Sequence, residues 1–521
     1  MDDLHRPAFG PDLLAFALNR GGDQPAVHLP NEVLTYSGLR DSISQFVQAY
    51  AAVGLTKGSP VAMLSTNRAE VLYAMGANSL TGCRATPLHP LGSFEDHAYV
   101  IEHAEIRTLV YDPTAFDQRA EELRTRIPGL RLLAFGPTSV GEDLIALADT
   151  FTPGLLVAPR VEADDPASMS FTGGTTGKPK GVIGTYRSTT AVAQILISEW
   201  EWPDDLRFLL CTPLSHAAGA FWMPVLLRGG SFVVLPSFSP GSWLEAVEQH
   251  RITATMVVPA MLYAILDHPD IDKRDTSSLE TVFYGASPAS PARMRQAIQR
   301  FGKVFFQFYG QSEVPMSVTV LRRREHDPDD LARLASCGRP VPWVRAALLD
   351  DDMQPVPPGT PGEICVRGPL VSNGYWKLPE QTDALFAGGW LHTGDIACES
   401  PEDGYWTIVD RKKDMIVSGG FNVFPREIED IISADPSVAA VAVIGVPDEK
   451  WGEAVKAVVV PARDAEVDAA ALIAAVKEGK GPVYAPKSID IVEAIPLTPV
   501  GKPDKVALRE RYWAGHERRV G

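Results

Sequence analysis

Residues 170–188, SFTGGTTGKPKGVIGTYRS, set glycines beside the neighbouring hydroxyls of Thr175 and Thr176 and beside Lys178 and Lys180, after an apolar run and before a helix-like segment. Glycine lets backbone N–H groups approach anionic oxygens closely, threonine adds donors and lysine adds charge, so the stretch suits phosphate. Two familiar phosphate loops are excluded by spacing. The Walker A loop needs glycine where Thr172 stands and a hydroxyl where Pro179 stands, and the dinucleotide pattern G-x-G-x-x-G is not met either. Taken alone, such a loop is equally a surface turn.

Around this loop, short apolar runs alternate with helix-like segments: VAMLS, TLVYD, RLLAFG, FLLCTPL, SFVVLP, ATMVVPA, TVFYGAS and KVFFQFYG. Continuous apolar strands between helices imply parallel sheets covered on both faces. After Arg339 closely spaced strands and turns (GEICVRG, GYWTIVD) indicate a smaller β-rich subdomain, and near Asp410 a basic cluster, a glycine pair, a proline and a helical pattern (Ile428, Ile431, Ile432) mark a boundary. The expected fold class is α/β. A large N-terminal domain, residues 1–409, holds two αβ-layered subdomains and the β-rich one; a small α+β domain, residues 410–521, follows.

The 521 residues exceed one ordinary core, and 45% apolar with 22% charged residues describe a globular chain. A net charge of −17 argues against nucleic acid and anionic membrane surfaces as partners, so an anionic ligand needs a locally basic site. The first residues lack the basic region of a secretory signal, and the apolar run VAAVAVIGV is too short to span a bilayer. Five scattered cysteines indicate neither a zinc site nor a disulfide framework and fit a reducing cytoplasm.

TGGTTGKPKGV closely resembles the phosphate loop of the adenylate-forming superfamily, which includes acyl- and aryl-CoA synthetases, peptide adenylation domains and luciferases. TPLSHAAG (212–219), YGASPAS (284–290), FYGQSE (308–313), GEICVRG (362–368), WLHTGD (390–395), VDRKKDMIVSGGFNVFPREIE (409–429) and PLTPVGKPDK (496–505) resemble further family motifs and stand in family order. The resemblance implies a two-step ligase. A carboxylate attacks the α-phosphate of ATP to give an acyl adenylate and pyrophosphate, and a thiol then displaces AMP.

The resemblance also implies roles for single residues. Thr172, Gly173, Gly174, Thr175, Thr176 and Gly177 would wrap the β- and γ-phosphates, with Lys178 or Lys180 adding charge; Gly173 departs from the serine of many members. Glu313 would hold Mg²⁺, and Ser312 would meet the α-phosphate. Gly285, Ala286 and Ser287 would pack against adenine, with Tyr309 and Gly310 at its stacking face. Asp395 would accept from the ribose hydroxyls, Arg411 would meet ribose or phosphate from the opposite side, and Lys502 would bridge carboxylate and α-phosphate. Asp410 matches the hinge of a mobile C-terminal domain, whose rotation would bring Gly419 and Gly420 to line a pantetheine tunnel.

His216 stands near the family's carboxylate pocket, where it would gate the thiol; a structural histidine is the competing reading. PLSHAAGAFW holds no acid to pair with an α-ammonium group, and Ala217, Ala218, Phe221 and Trp222 suggest an apolar acyl pocket. The expectation is a CoA ligase for a fatty, aryl or bulky alicyclic acid, using ATP, Mg²⁺ and coenzyme A, with a homodimer as a candidate assembly. The alternatives are transfer of the acyl group to a separate carrier protein and a luciferase-like oxygenase.

Overall fold

The computed structural model describes residues 3–29, 32–172, 179–412, 414–418, 421–448, 451–463, 465–497 and 503–513. The chain divides into two compact units: residues 1–345 with 366–391, and residues 346–365 with 392–521. Each of the eight apolar runs forms a strand.

In the first unit these strands separate into two sheets. The larger has nine strands, and Thr281–Gly285 lies between Ala254–Val257 and Phe305–Tyr309, all parallel. An N-terminal strand, Pro25–His28, pairs parallel with Ser231–Val234, so the chain enters this sheet, leaves it and returns. The second sheet has seven strands, with Pro60–Leu64 between Thr108–Tyr111 and Arg84–Pro87. Pro166–Thr172 and Lys180–Thr185 close its edge as an antiparallel hairpin, Thr172 facing Lys180. A strand, Lys180–Thr185, therefore stands between the glycine-rich stretch and the helix Tyr186–Glu199. Val182 and Ile183 supply the β-branched pair that favours this strand despite its two glycines.

An aromatic cluster backs the nine-stranded sheet. Trp200 lies 5.0 Å from Phe283, 5.2 Å from Phe306 and 4.9 Å from Phe308 between ring centroids, and its indole N–H donates to Ser317 Oγ. Such pairs add about 0.5–1.5 kcal/mol each beyond the area they bury. They anchor both strands whose ends carry the YGASPAS and FYGQSE motifs.

The second unit contains a four-stranded sheet, in which Leu391–Glu399 runs antiparallel to Trp406–Arg411, and a five-stranded sheet built on the long pair Val438–Asp448 and Gly452–Pro461. Helix Pro425–Ser433 packs Ile428 and Ile432 into a core with Val443, Val455 and Val476. Its Arg426 N–H donates to Asp410, which ties the helix to the strand before it.

Candidate active site

At the carboxyl ends of the central strands of the large sheet, two glycines are demanded by crowding. A Cβ at Gly285 would stand 2.4 Å from Phe308 O, and one at Gly310 would stand 2.2 Å from Met316 N. The strand ends are thus pressed together where the adenine contacts were expected. Ala286 follows with φ +65°, a conformation that costs a non-glycine residue energy and concentrates at functional sites. Ser287 and Tyr309 beside it are half-buried, and Ser312 is exposed.

Glu313 is 8% exposed. Its Oε1 accepts from the Tyr375 hydroxyl at 2.8 Å, and its backbone carbonyl accepts from Ser372 N–H at 2.9 Å. Among the described residues no Lys, Arg or His forms an ion pair with it. A buried carboxylate without a cationic neighbour is costly, and its oxygen donors suit a hard divalent cation. Burial first, and Glu313 second, push the Tyr375 phenol upward, so it stays protonated and donates. Lys180 holds its ammonium 4.8 Å from the Tyr375 ring centroid. Tyr375 went unread in the sequence, where GYWK carries no phosphate or metal signature.

His216 is exposed, with Nδ1 3.0 Å from Ser215 Oγ and its ring edge-on to His89 at 4.6 Å. Although one side of the ring is open to solvent, the protein packed on its other side desolvates it and lowers its pKa to about 4, His89 adding to the effect. His89 is itself fixed: Arg119 donates to His97 Nδ1, so His97 Nε2 carries the proton and donates to His89 O at 2.8 Å. The apolar pocket read from the same segment needs correction. Phe221 is fully enclosed, 5.0 Å from Phe208 and 5.4 Å from Phe283, and Trp222 and Ala218 are buried too; Ala217 alone of the four keeps partial exposure. Apolar composition does not distinguish core from pocket wall, and here packing against the large sheet claimed the aromatic pair.

In the second unit, Asp395 is buried and pairs across the strands with Arg411, Nε to Oδ1 at 3.1 Å. Where these two were expected on opposite sides of a ribose, they meet directly. The turn that presents Asp395 is held by Glu363: Oε1 accepts from Gly394 N–H at 3.0 Å, and Oε2 lies 3.1 Å from His392 Nδ1 and 3.4 Å from Lys412 Nζ. Cys365 Sγ sits 3.6 Å from the same His392 nitrogen, and burial, then Glu363, pushes its thiol up to about 12. Glu363, Cys365 and His392 thus form the kind of group that holds metals, which cysteine spacing did not suggest, but Lys412 already supplies the cation.

Asp410 accepts from Arg411 N–H at 2.7 Å and Arg426 N–H at 2.9 Å. Burial raises its pKa to about 6, opposed by Lys505, whose ammonium pairs with Glu429 at 2.8 Å. Asp504 N–H donates to Pro496 O at 2.7 Å, and Leu497 bridges Pro503. Lys502, Gly419, Gly420 and residues 173–178 lie outside the described residues.

The AMP-binding enzyme family model matches residues 14–376, and the model of the AMP-binding enzyme C-terminal domain matches residues 427–502. The chain is 51% identical over 532 residues to the medium/long-chain-fatty-acid–CoA ligase FadD8 of Mycobacterium tuberculosis, covering 99% of this chain and 92% of that protein. It is 37% identical to a feruloyl-CoA synthase of an Amycolatopsis species, covering 94% of this chain and 96% of the other. The solved amide bond synthetase McbA of Marinactinospora thermotolerans superposes with a TM-score of 0.87 at 34% identity, over 96% of this chain and 99% of that one.

Proposed function

Because the chain belongs to the AMP-binding enzyme family, as an AMP-forming acid–thiol ligase for fatty or aryl acids, we propose that its preferred acid is a medium- or long-chain fatty acid and its acceptor coenzyme A. The observation that supports the adenylation chemistry is Glu313, a buried carboxylate with no ion-paired cation among the described residues, three positions after the crowded Gly310. Such an acid fits Mg²⁺, which when bound would draw charge from the phosphates of ATP. The chain's own residues do the rest. Residues 172–178 and Lys180 cradle the outer phosphates, Gly285, Ala286, Ser287, Tyr309 and Gly310 flank adenine, and Ser312 approaches the α-phosphate.

Asp395, held by its ion pair with Arg411, takes the ribose hydroxyls, and Arg411 meets the ribose or phosphate. Lys502 follows the charge as the carboxylate attacks phosphorus and pyrophosphate departs. For thioester formation the C-terminal domain, residues 410–521, turns about Asp410, and Gly419 and Gly420 line the approach of the thiol, which displaces AMP. His216, uncharged at neutral pH, offers no cation to hold the acid's carboxylate away from phosphorus.

The family similarity favours a fatty acid over an aryl one, since the 51% identical relative carries that name. No described helix is long and apolar enough to cross a membrane. The test is a panel of fatty and aryl acids with ATP and Mg²⁺, following pyrophosphate release with and without coenzyme A and weighing the acyl products. Fatty acyl-CoA made faster than feruloyl-CoA is the expected result. Adenylate that accumulates beside coenzyme A would move the acceptor to a carrier protein.

A further inference from the structure

Residues 372–376 run alongside the arm by which the chain returns from the phosphate loop. Ile183 N–H donates to Gly374 O at 2.9 Å, Trp376 N–H to Gly181 O at 2.8 Å, and Val182 bridges Tyr375. Tyr375 N–H also donates to Thr382 Oγ1 at 3.0 Å, and the Trp376 indole donates to His103 O at 3.1 Å. The Tyr375 backbone is therefore fixed without help from its hydroxyl, and the side chain is left for another purpose.

That side chain joins two groups distant in sequence. Its hydroxyl donates to Glu313 Oε1, and its ring faces the Lys180 ammonium. We propose that Tyr375 is a positioning residue for the nucleotide–metal site, fixing the rotamer of Glu313 through Oε1 and seating Lys180 on its ring. This rests on the reading of Glu313 as a metal-binding acid. The phenol donates to one carboxyl oxygen and brings no positive charge to the site. Among the described residues Oε2 receives no hydrogen bond, so it is the oxygen left to a cation. Meanwhile the ring holds Lys180 by its face, close to the strand that returns from the loop, without neutralising it as a carboxylate would.

The two functions separate by substitution. Tyr375→Phe removes the hydroxyl and keeps the ring; Tyr375→Leu removes both. The probe is Mn²⁺ titrated into the full-length enzyme with a non-hydrolysable ATP analogue, with free Mn²⁺ read by electron paramagnetic resonance well below the melting temperature of each variant. Tyr375→Phe should weaken Mn²⁺ binding about tenfold, as loss of an outer hydrogen-bond partner does at metal sites. KM for ATP should rise while KM for acid and coenzyme A stays unchanged. Tyr375→Leu should in addition weaken binding of the analogue measured without metal.

Glu313→Gln serves as the control for the underlying reading. If it binds Mn²⁺ as the wild type does, the metal assignment fails and takes the inference with it. If Glu313→Gln loses Mn²⁺ but Tyr375→Phe does not, the metal assignment stands and the inference alone is overturned. A lower melting temperature in Tyr375→Phe with wild-type Mn²⁺ affinity overturns it equally, since that is what a merely structural hydroxyl would give.

Discussion

Asp395 and Arg411 face each other across neighbouring antiparallel strands, and their side chains meet at 3.1 Å with the acid buried and the guanidinium half-exposed. An ion pair open on one side contributes about 0–1 kcal/mol to stability, because solvent screens it and the arginine gives up rotamer freedom. Its larger value lies in holding the acid that the nucleotide ribose is proposed to use. Arg411→Ala should therefore barely change the melting temperature while raising KM for ATP several-fold. Asp395→Ala should raise it further. Thermal unfolding beside ATP saturation curves decides the matter, and a large stability loss with unchanged KM would make the pair structural.

Asp410 gives a pH signature of the opposite sign to most carboxylates. Its folded pKa, about 6, lies above the ordinary 3.8 because burial disfavours the charge. Between those values the folded protein keeps a proton that the unfolded chain has released, so the group's contribution to stability falls as pH rises through the window. Below the window the contribution is complete. Asp410→Asn cannot ionise, and the hydrogen-bond acceptor it loses costs the same at every pH. The melting-temperature advantage of wild type over Asp410→Asn should shrink as pH rises from about 4 to about 6. A constant difference over that range would show that Lys505 fully compensates the charge.

Much of this molecule is legible in its sequence because its strands are continuous apolar runs and its site motifs are local. TVFYG and VFFQFY read as buried parallel strands from composition alone, and they are. What stays hidden is non-local. The strand Lys180–Thr185 reads as loop because its glycines dilute the pattern, and only pairing with Pro166–Thr172 reveals it. Tyr375 goes unread, since nothing near it in sequence signals a bond to a carboxylate sixty-two positions away. Phe221 reads as pocket lining because an apolar side chain looks the same whether a ligand or Phe283 lies against it.

His216 has its folded pKa near 4, below the ordinary 6.5. The unfolded chain binds its proton first as pH falls, so this group's stabilisation is present above about 6.5 and is lost as pH drops toward about 4. In the working range the imidazole is neutral. Histidine-selective ¹³C labelling should show His216 untitrated at pH 6. His89→Phe removes the second cause of the shift and leaves desolvation, so the pKa should rise yet remain below 6.5. A His216 that titrates at 6.5 in the wild type would mean that solvent on the exposed side of the ring outweighs the desolvation by the protein.

Lys502 lies in the motif PLTPVGKPDK, whose described ends Leu497 and Pro503 form a β-bridge. Its proposed work is confined to the first half-reaction, where a mobile ammonium can stabilise charge that moves from carboxylate to phosphate. In the second half-reaction the thiol attacks an adenylate already formed, and no new charge develops at that position. Lys502→Ala should thus lose about a hundredfold or more in pyrophosphate release, in line with the removal of one electrostatic stabiliser of a transition state. The same variant, given a synthetic fatty acyl adenylate and coenzyme A, should form thioester at nearly the wild-type rate. Equal losses in both assays would mean that the lysine holds the nucleotide in each step, and the division of labour between the two half-reactions would have to be abandoned.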